Sequence, residues 1–321
     1  MNNKKKYKSL FISDFMKKSM QNLLLKNKEK ISKEVAEKIF QIDEVEIAEF
    51  IKEIGNHEIE YIPIKKIRQN LATKYIGKNI YSFHEVESTN SIAKFLAENG
   101  SPEGTIILAE TQTKGRGRSG KKWESPTGGI WLSIILKDNI EPSKASIITL
   151  ATGVAVAKIL RKMNIDAKIK WPNDILINNK KVCGILTEAN AKSNAVYYVI
   201  VGVGIDTKID IGTLADDIQE KTTSLNKETS EEIKEPSIVA NFLNEFEEIY
   251  NLFKDEKFDE ILYDWKQMNQ TIGSYVEVKQ PFGEVYRGRA VGIDNQGVLI
   301  LELENGELKE IISGECILHN S

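Results

Sequence analysis

Cysteine, histidine and long apolar runs are all scarce in this 321-residue chain, and each shortage removes a class of function. The two cysteines, Cys183 and Cys316, stand far apart and outside any metal-ligand spacing, so a disulfide scaffold is excluded and a reduced, cytoplasmic compartment is expected. Three scattered histidines, His57, His84 and His319, leave almost no material for a zinc site or a histidine-activated nucleophile. No run of 18 apolar residues occurs, so no membrane span is expected. The lysine-rich start is not followed by the apolar core of a secretion signal. A formal net charge of −3 argues against an overall nucleic-acid coat or a membrane-surface protein. No internal repeat is visible.

What is present is a chain with 41% apolar and 28% charged residues, long enough for two or three domains with full cores. Charge divides the N-terminal region. Residues 1–30 carry nine lysines against two acids, whereas residues 33–60 carry nine acids against three lysines. Both parts have apolar residues near helical spacing, and a short alternating strand precedes Pro63. Two helices and a strand in that span suit a small winged-helix module or a helical cap. From about residue 67 strands and helices alternate. The pattern predicts a helix from Ser88-Thr89-Asn90 to Asn99, strands at 104–110 and 129–136, and a nearly all-apolar helix at 144–163. A hairpin is expected over 167–188 with its turn at Asn178-Asn179, then a strand at 197–205 and a helical stretch at 236–265. Residues 208–235 read as a polar surface excursion. Beyond Gly273 four short strands separated by glycine turns indicate a small β-barrel or sandwich.

The chemistry concentrates in Gly115-Arg116-Gly117-Arg118-Ser119-Gly120, followed by Lys121-Lys122-Trp123. Glycine lets a backbone close tightly over a ligand, and arginine forks grip carboxylate or phosphate oxygens in pairs. The segment reads as a mobile anion-gripping lid, with a sticky arginine-glycine RNA- or DNA-binding stretch as the bland alternative. Ser88, Thr89 and Asn90, with Gln112, offer donors and acceptors suited to a neutral polar ring, or simply a helix cap. Lys170-Trp171-Pro172-Asn173-Asp174 brings cation, indole, amide and carboxylate together, as a site or as strand-edge packing. Lys181, opening the return strand, is either functional or a solvated strand end. Trp123 is either a core anchor or a plate for a purine.

In order, Glu87-Ser88-Thr89-Asn90, Gln112, GRGRSGKKWESP at 115–126, KWPND at 170–174, KVCGIL at 181–186 and Val203-Gly204-Ile205-Asp206 resemble the biotin protein ligases. Thr223-Ser224-Leu225 and the terminal strands through Gly314-Glu315 add to the resemblance. Each motif is weak alone, but their joint order and spacing are specific. The resemblance implies an α+β fold: a class II synthetase-like catalytic domain at 67–272, a helical, degenerate winged-helix-like domain at 1–66, and an SH3-like barrel at 273–321. It implies activation of biotin by ATP to biotinyl-5′-AMP, then transfer to one lysine of a biotin carboxyl carrier domain. Lys181, Arg116 and Arg118 would carry the chemistry. Ser88, Thr89, Asn90, Gln112, Arg116, Gly117, Arg118 and Lys181 would bind biotin. Arg116, Arg118, Trp123, Lys170, Asn173, Asp174 and Asp206 would bind ATP, with Asp174 and Asp206 also offered to Mg²⁺. Asp206 departs from the asparagine usual in the family.

Two rivals follow. Lipoate ligases are expected to share the fold, but their arginine-arginine and Gly-Gly-Gly-aromatic pattern is missing. A biotin-responsive DNA-binding repressor is the other, since some family members carry an N-terminal winged helix. The helix that would enter the groove, 43–54, has Asp43, Glu44, Glu46, Glu49 and Glu53 against Lys52, and five carboxylates repel phosphates. DNA is therefore disfavoured as a partner, and a homodimer is left open.

Overall fold

The computed structural model describes residues 62–319, apart from 138, 139, 142, 143, 193, 194 and 282. The helices and short strand expected before residue 62 lie outside the described residues. Helix α1 (Ile64–Gln69) straddles the expected boundary at residue 66, and its Ile67 is fully buried in the main core. Strand β1 (Ile80–Val86) was not legible in the sequence. It leads into α2 (Thr89–Glu98), β2 (Ile106–Gln112), β3 (Ile130–Leu136) and the long α3 (Ala145–Lys162). The expected first hairpin strand is broken by Trp171-Pro172-Asn173 into β4 (Lys168–Lys170) and β5 (Asp174–Ile177). Strands β6 (Lys180–Lys192) and β7 (Ala195–Ile205) follow.

These seven strands form one sheet in the order β1-β2-β3-β7-β6-β5-β4, with β1 and β2 parallel and the other pairs antiparallel. Both faces are covered, and side-chain alternation decides what each face meets. On β6, Cys183 and Ile185 point into the main core, as Val201, Val203 and Ile205 do on β7. That core is completed by α3, whose apolar residues are buried nearly all round, each large one contributing roughly 2 kcal/mol. Asn164 stops α3 by adopting φ 59°, a left-handed conformation asparagine tolerates. The opposite face presents Gly184 and Gly202 with Gly204, so it is flat where α2 and the glycine-arginine segment lie against it. A side chain at Gly202 would approach Asn90 Oδ1 to 2.3 Å, and one at Gly204 would approach Trp123 Nε1 to 2.6 Å.

Residues 208–235 are not a detached surface excursion. They contain the short helices α4 (Asp216–Gln219) and α5 (Leu225–Glu228), and they bury Ile209, Ile211, Leu214 and Leu225. Their backbone clasps the hairpin through Lys181 N–H to Lys221 O (2.8 Å) and Thr223 N–H to Lys181 O (2.9 Å). The helical stretch beyond is two helices, α6 (Glu235–Lys254) and α7 (Phe258–Met268), divided near Glu256, which adopts φ 58°. Five strands, one more than expected, complete a second sheet: β8 (Tyr275–Lys279), β9 (Val285–Ile293), β10 (Leu299–Leu303), β11 (Leu308–Ile311) and β12 (Glu315–His319). It is tied to the first sheet and to α3 through Trp171 Nε1–H to Gly297 O (3.0 Å) and Ser146 Oγ–H to Gln296 O (2.7 Å).

Candidate functional site

The glycine-arginine segment is an ordered ribbon. Gln112 pairs with Ser125 and Arg116 with Lys122, and Gly117 N–H donates to Lys121 O at 2.7 Å. Ser119 (φ 54°) and Gly120 (φ 75°) make the tip. Gly115 is required for a different reason: any side chain there would meet Trp123 O at 2.3 Å. The tight ribbon thereby aims its two arginines apart. Arg118 donates to Asn173 Oδ1 (3.1 Å) and Gly314 O (3.3 Å), between the catalytic sheet and the second sheet. Burial draws its pKa down, with the Asp174 carboxylate working against that, and a guanidinium stays charged regardless. Arg116 turns the other way, to Ser91 Oγ (3.0 Å) and Glu188 Oε2 (3.3 Å). Of the two arginines, only Arg118 joins the Lys170–Asp174 segment.

That segment and the hairpin form a cationic centre. Asp174 holds Lys181 Nζ at 2.6 Å through one oxygen and Lys170 Nζ at 2.9 Å through the other. The two lysines overcome the desolvation cost and hold the Asp174 carboxyl down at about 2. Lys181 is thus no solvated strand end, and its ammonium also lies 4.8 Å from the centre of the Trp123 ring. Trp123 rests on Gly184 and Gly204, edge-on to Trp131 at 6.3 Å, and its Nε1–H is buried without a hydrogen-bond partner among the described residues. The lid residue and the hairpin lysine therefore meet.

Asp206 follows β7 and is 2% exposed. Burial raises its pKa well above the ordinary carboxylate value despite the opposing charge of Lys181. The expected magnesium pair does not fit this arrangement. Both Asp174 oxygens are committed to ammonium groups, and burial of Asp206 opposes the charged form that a hard cation needs. Among the described residues no three histidine, cysteine, aspartate or glutamate side chains gather to hold a metal.

On the ring side, Ser88 has the extended backbone of an N-cap, but its hydroxyl does not cap the helix. Gln112 does so from β2, its Oε1 accepting from Thr89 N (2.9 Å) and Thr89 Oγ1 (3.1 Å). Its Nε2 donates to Ser125 Oγ at 2.8 Å. Ser133 Oγ lies 2.8 Å from Thr89 Oγ1 and 2.6 Å from Asn90 Oδ1, and Asn90 Nδ2 donates to Glu188 Oε2 at 2.7 Å. Ser88, Thr89 and Asn90 are all buried, so this is a built polar patch on a flat apolar floor. Sequence reasoning missed Glu188, Ser125 and Ser133. Glu188 had a signal, as a charge at an alternating position beyond Gly184 and Leu186 in an otherwise apolar strand. The two serines had none.

The described residues thus place a charged centre and a neutral polar patch side by side under one ribbon. Residues 82–206 match the model of the biotin/lipoate A/B protein ligase family, and residues 271–319 match the biotin protein ligase C-terminal domain. The bifunctional ligase/repressor BirA of Bacillus spizizenii is 38% identical over 255 residues, covering 79% of this chain and 78% of that protein. The Escherichia coli bifunctional ligase/repressor BirA is 30% identical, covering 68% and 67%. The solved biotin protein ligase of Aquifex aeolicus in complex with biotin and ATP superposes with TM-score 0.65 at 30% identity, covering 76% of this chain and all of that one. This chain belongs to the biotin protein ligase family.

Proposed function

We propose that the two neighbouring subsites bind biotin and ATP and that the protein joins them in two steps. In the first, a biotin carboxylate oxygen bonds to the α-phosphorus while the bond from that phosphorus to the bridging oxygen breaks, releasing pyrophosphate. In the second, the ε-amine of a carrier-domain lysine bonds to the acyl carbon, the acyl–phosphate bond breaks, AMP leaves, and the amine proton passes to solvent. Neither step needs a protein nucleophile. The work is positioning and charge stabilisation.

Lys181 would sit between the biotin carboxylate and the α-phosphate, held in place by Asp174 at 2.6 Å. Arg118 and Lys170 would neutralise phosphate oxygens, with Asn173 fixing Arg118 at 3.1 Å. Trp123 would stack on adenine, and an acceptor supplied by the ligand would satisfy its buried N–H, a group that costs about 1–3 kcal/mol when left unpaired. Thr89, Asn90 and Gln112, with Ser88 beside them and the Arg116–Gly117 backbone above, would read the ureido ring. Asp206 would border the nucleotide, where burial disfavours the charge that would repel it. Magnesium would enter with ATP, on its phosphate oxygens, and no step is assigned to a protein-bound ion.

The observation that carries the proposal is the meeting of Trp123, Lys181 and Asp174 beside the Thr89–Gln112 patch. Mixing the purified protein with biotin, MgATP and a biotin carboxyl carrier domain, then weighing the carrier, tests it. Addition of one biotin to one lysine is expected, and an unchanged carrier mass overturns it. Lipoate in place of biotin should give no product. We place the reaction in a reducing, cytoplasmic compartment, which suits two buried, free thiols. The proposal does not extend to operator binding, because the acidic run at 43–54 opposes phosphate contact.

A further inference from the structure

A hydrogen-bonded chain leaves the ribbon at one end and returns to it at the other. It runs from Arg116 to Glu188 (3.3 Å), from Glu188 to Asn90 (2.7 Å), and from Asn90 to Ser133 (2.6 Å). From there it passes to Thr89 (2.8 Å), Gln112 (3.1 Å) and Ser125 (2.8 Å), whose Oγ–H donates to Trp123 O at 3.2 Å. Every link but the last includes a residue offered to biotin: Arg116, Asn90, Thr89 or Gln112. Glu188 is the junction. One of its oxygens accepts from Asn90, on the patch, and from Arg116, on the ribbon. Leu186 O is a second, longer acceptor for the same Asn90 amide, at 3.4 Å.

The chemistry of the junction makes it directional. Asn90 can neither shift nor rotate freely, because its Oδ1 lies against the Cα of Gly202 on one side and accepts from Ser133 on the other. Ser133 has one hydroxyl proton and two acceptors, Thr89 Oγ1 and Asn90 Oδ1, so a ligand that engages Thr89 changes what Ser133 gives to Asn90. The Asn90 amide then holds Glu188 Oε2, the same oxygen that lies nearer to Arg116. Ser91, the next residue of α2, takes the other guanidinium nitrogen at 3.0 Å, so Arg116 bridges the helix start and β6.

We propose that Glu188 is a positioning residue that latches the ribbon shut over the ring pocket, tying its closure through Arg116 to the state of Asn90. This rests on the reading of the Thr89–Gln112 patch as the biotin subsite. The latch holds the ribbon over the activated intermediate while the carrier lysine is awaited. It explains why Arg116 turns away from the phosphate side although its neighbour Arg118 reaches it.

A double-mutant cycle on the full chain tests the latch, using Glu188→Gln, Arg116→Gln and the pair. The Glu188–Arg116 pair is part-exposed, so each single change is expected to speed release of preformed biotinyl-AMP by about two- to five-fold. It should also raise the biotin KM more than it lowers kcat. The double variant should release no faster than the quicker single variant, because both remove one interaction. Thermal melts of all four proteins report folding. Release in the double variant equal to the product of the single effects overturns the latch and leaves Glu188 as support for Asn90 alone. Unchanged release in Glu188→Gln overturns it as well. Failure of the unmutated protein to form biotinyl-AMP instead sinks the underlying assignment of the subsite, so the two failures are distinct.

Discussion

Replacing Lys181 with methionine should separate the catalytic use of its charge from its structural use. Methionine keeps the stem volume, so no cavity opens. The change removes the 2.6 Å pair to Asp174 and the ammonium 4.8 Å from the Trp123 ring centre. Breaking a buried pair by deleting one partner costs about 3–5 kcal/mol when the survivor is left alone. Asp174 is not left alone, since Lys170 stays at 2.9 Å, and the Lys181 side chain is 29% exposed. The expected loss is therefore about 2 kcal/mol, including roughly 0.5 kcal/mol from the cation–π contact. For a chain of 321 residues that lowers the melting temperature by about 3 °C. Loss of charge stabilisation at the reacting centre should cut adenylate formation by about 10²–10³-fold. A stability loss of 2 kcal/mol leaves the protein folded at 25 °C, so it cannot account for the lost rate. Biotin-dependent ATP–pyrophosphate exchange and a thermal melt read the two effects separately. A lowered melting temperature with an exchange rate close to that of the unmutated protein would refute the assignment and leave Lys181 as a structural ion-pair member.

The other predictions use the same geometry. Gly204→Ala should push the Trp123 indole off its floor, since the new carbon would lie 2.6 Å from Nε1; the ATP KM should rise about tenfold or more with little change in biotin affinity, measured by calorimetry. Arg118→Gly removes the tie to Asn173 and Gly314 O, so biotinyl-AMP should escape and label lysines on bystander proteins; labelling confined to the carrier lysine counts against it. Asp206 gives a pH signature. Its folded pKa is raised, so as pH climbs through the ordinary carboxylate range the unfolded chain releases a proton that the folded chain keeps, and stability falls by up to about 1.4 kcal/mol per pH unit until the folded group titrates. Asp206→Asn should abolish that decline, and parallel unfolding curves for the two proteins between pH 5 and 8 would show the acid to be ionised. Asp174 has the opposite sign, because its stabilisation is present above the unfolded carboxylate pKa and is lost as pH falls towards about 2.

Elements with strong local signals were legible in the sequence, and relations between elements were not. Helix α3 was visible because an apolar run of that length can be nothing but buried, and Asn178-Asn179 marked a hairpin because both residues tolerate positive φ, observed at 50° and 63°. Strand β1 was lost because Tyr81, Ser82, His84 and Glu85 dilute its apolar content. It is an edge strand whose partner β2 and covering helix α2 supply the context. The split at Trp171–Asn173 was hidden because Trp171 reads as strand but is held by Thr271 and Gly297, about a hundred residues or more away. Within the site, Lys181 and the glycine-arginine run stood out by type. Their partners did not, because Asp174 reaches both lysines only after the chain reverses, and Ser133 is one polar residue inside an apolar strand.

The divergence of Arg116 and Arg118 shows what spacing alone cannot tell. Two arginines separated by one glycine suggest a clamp on a single anion. In a flat ribbon, residues i and i+2 would indeed share a face. Here the tip begins at Arg118, where the backbone leaves the extended conformation and Ser119 turns left-handed, so the second arginine is thrown towards the Asn173 side while the first remains beside α2. A single turn thereby divides one sequence motif between two jobs. Arg118 lies with the charges that would meet phosphate, and Arg116 lies with the polar chain under the ring. Transplanting the tip should follow from this: a residue that cannot adopt φ near 54° at position 119, such as valine, should misplace Arg118 far more than Arg116. The ATP KM should then rise and biotinyl-AMP should escape as in Arg118→Gly, while the biotin KM, which would depend on Arg116, changes less. Equal effects on the two KM values would mean that the ribbon moves as one rigid piece.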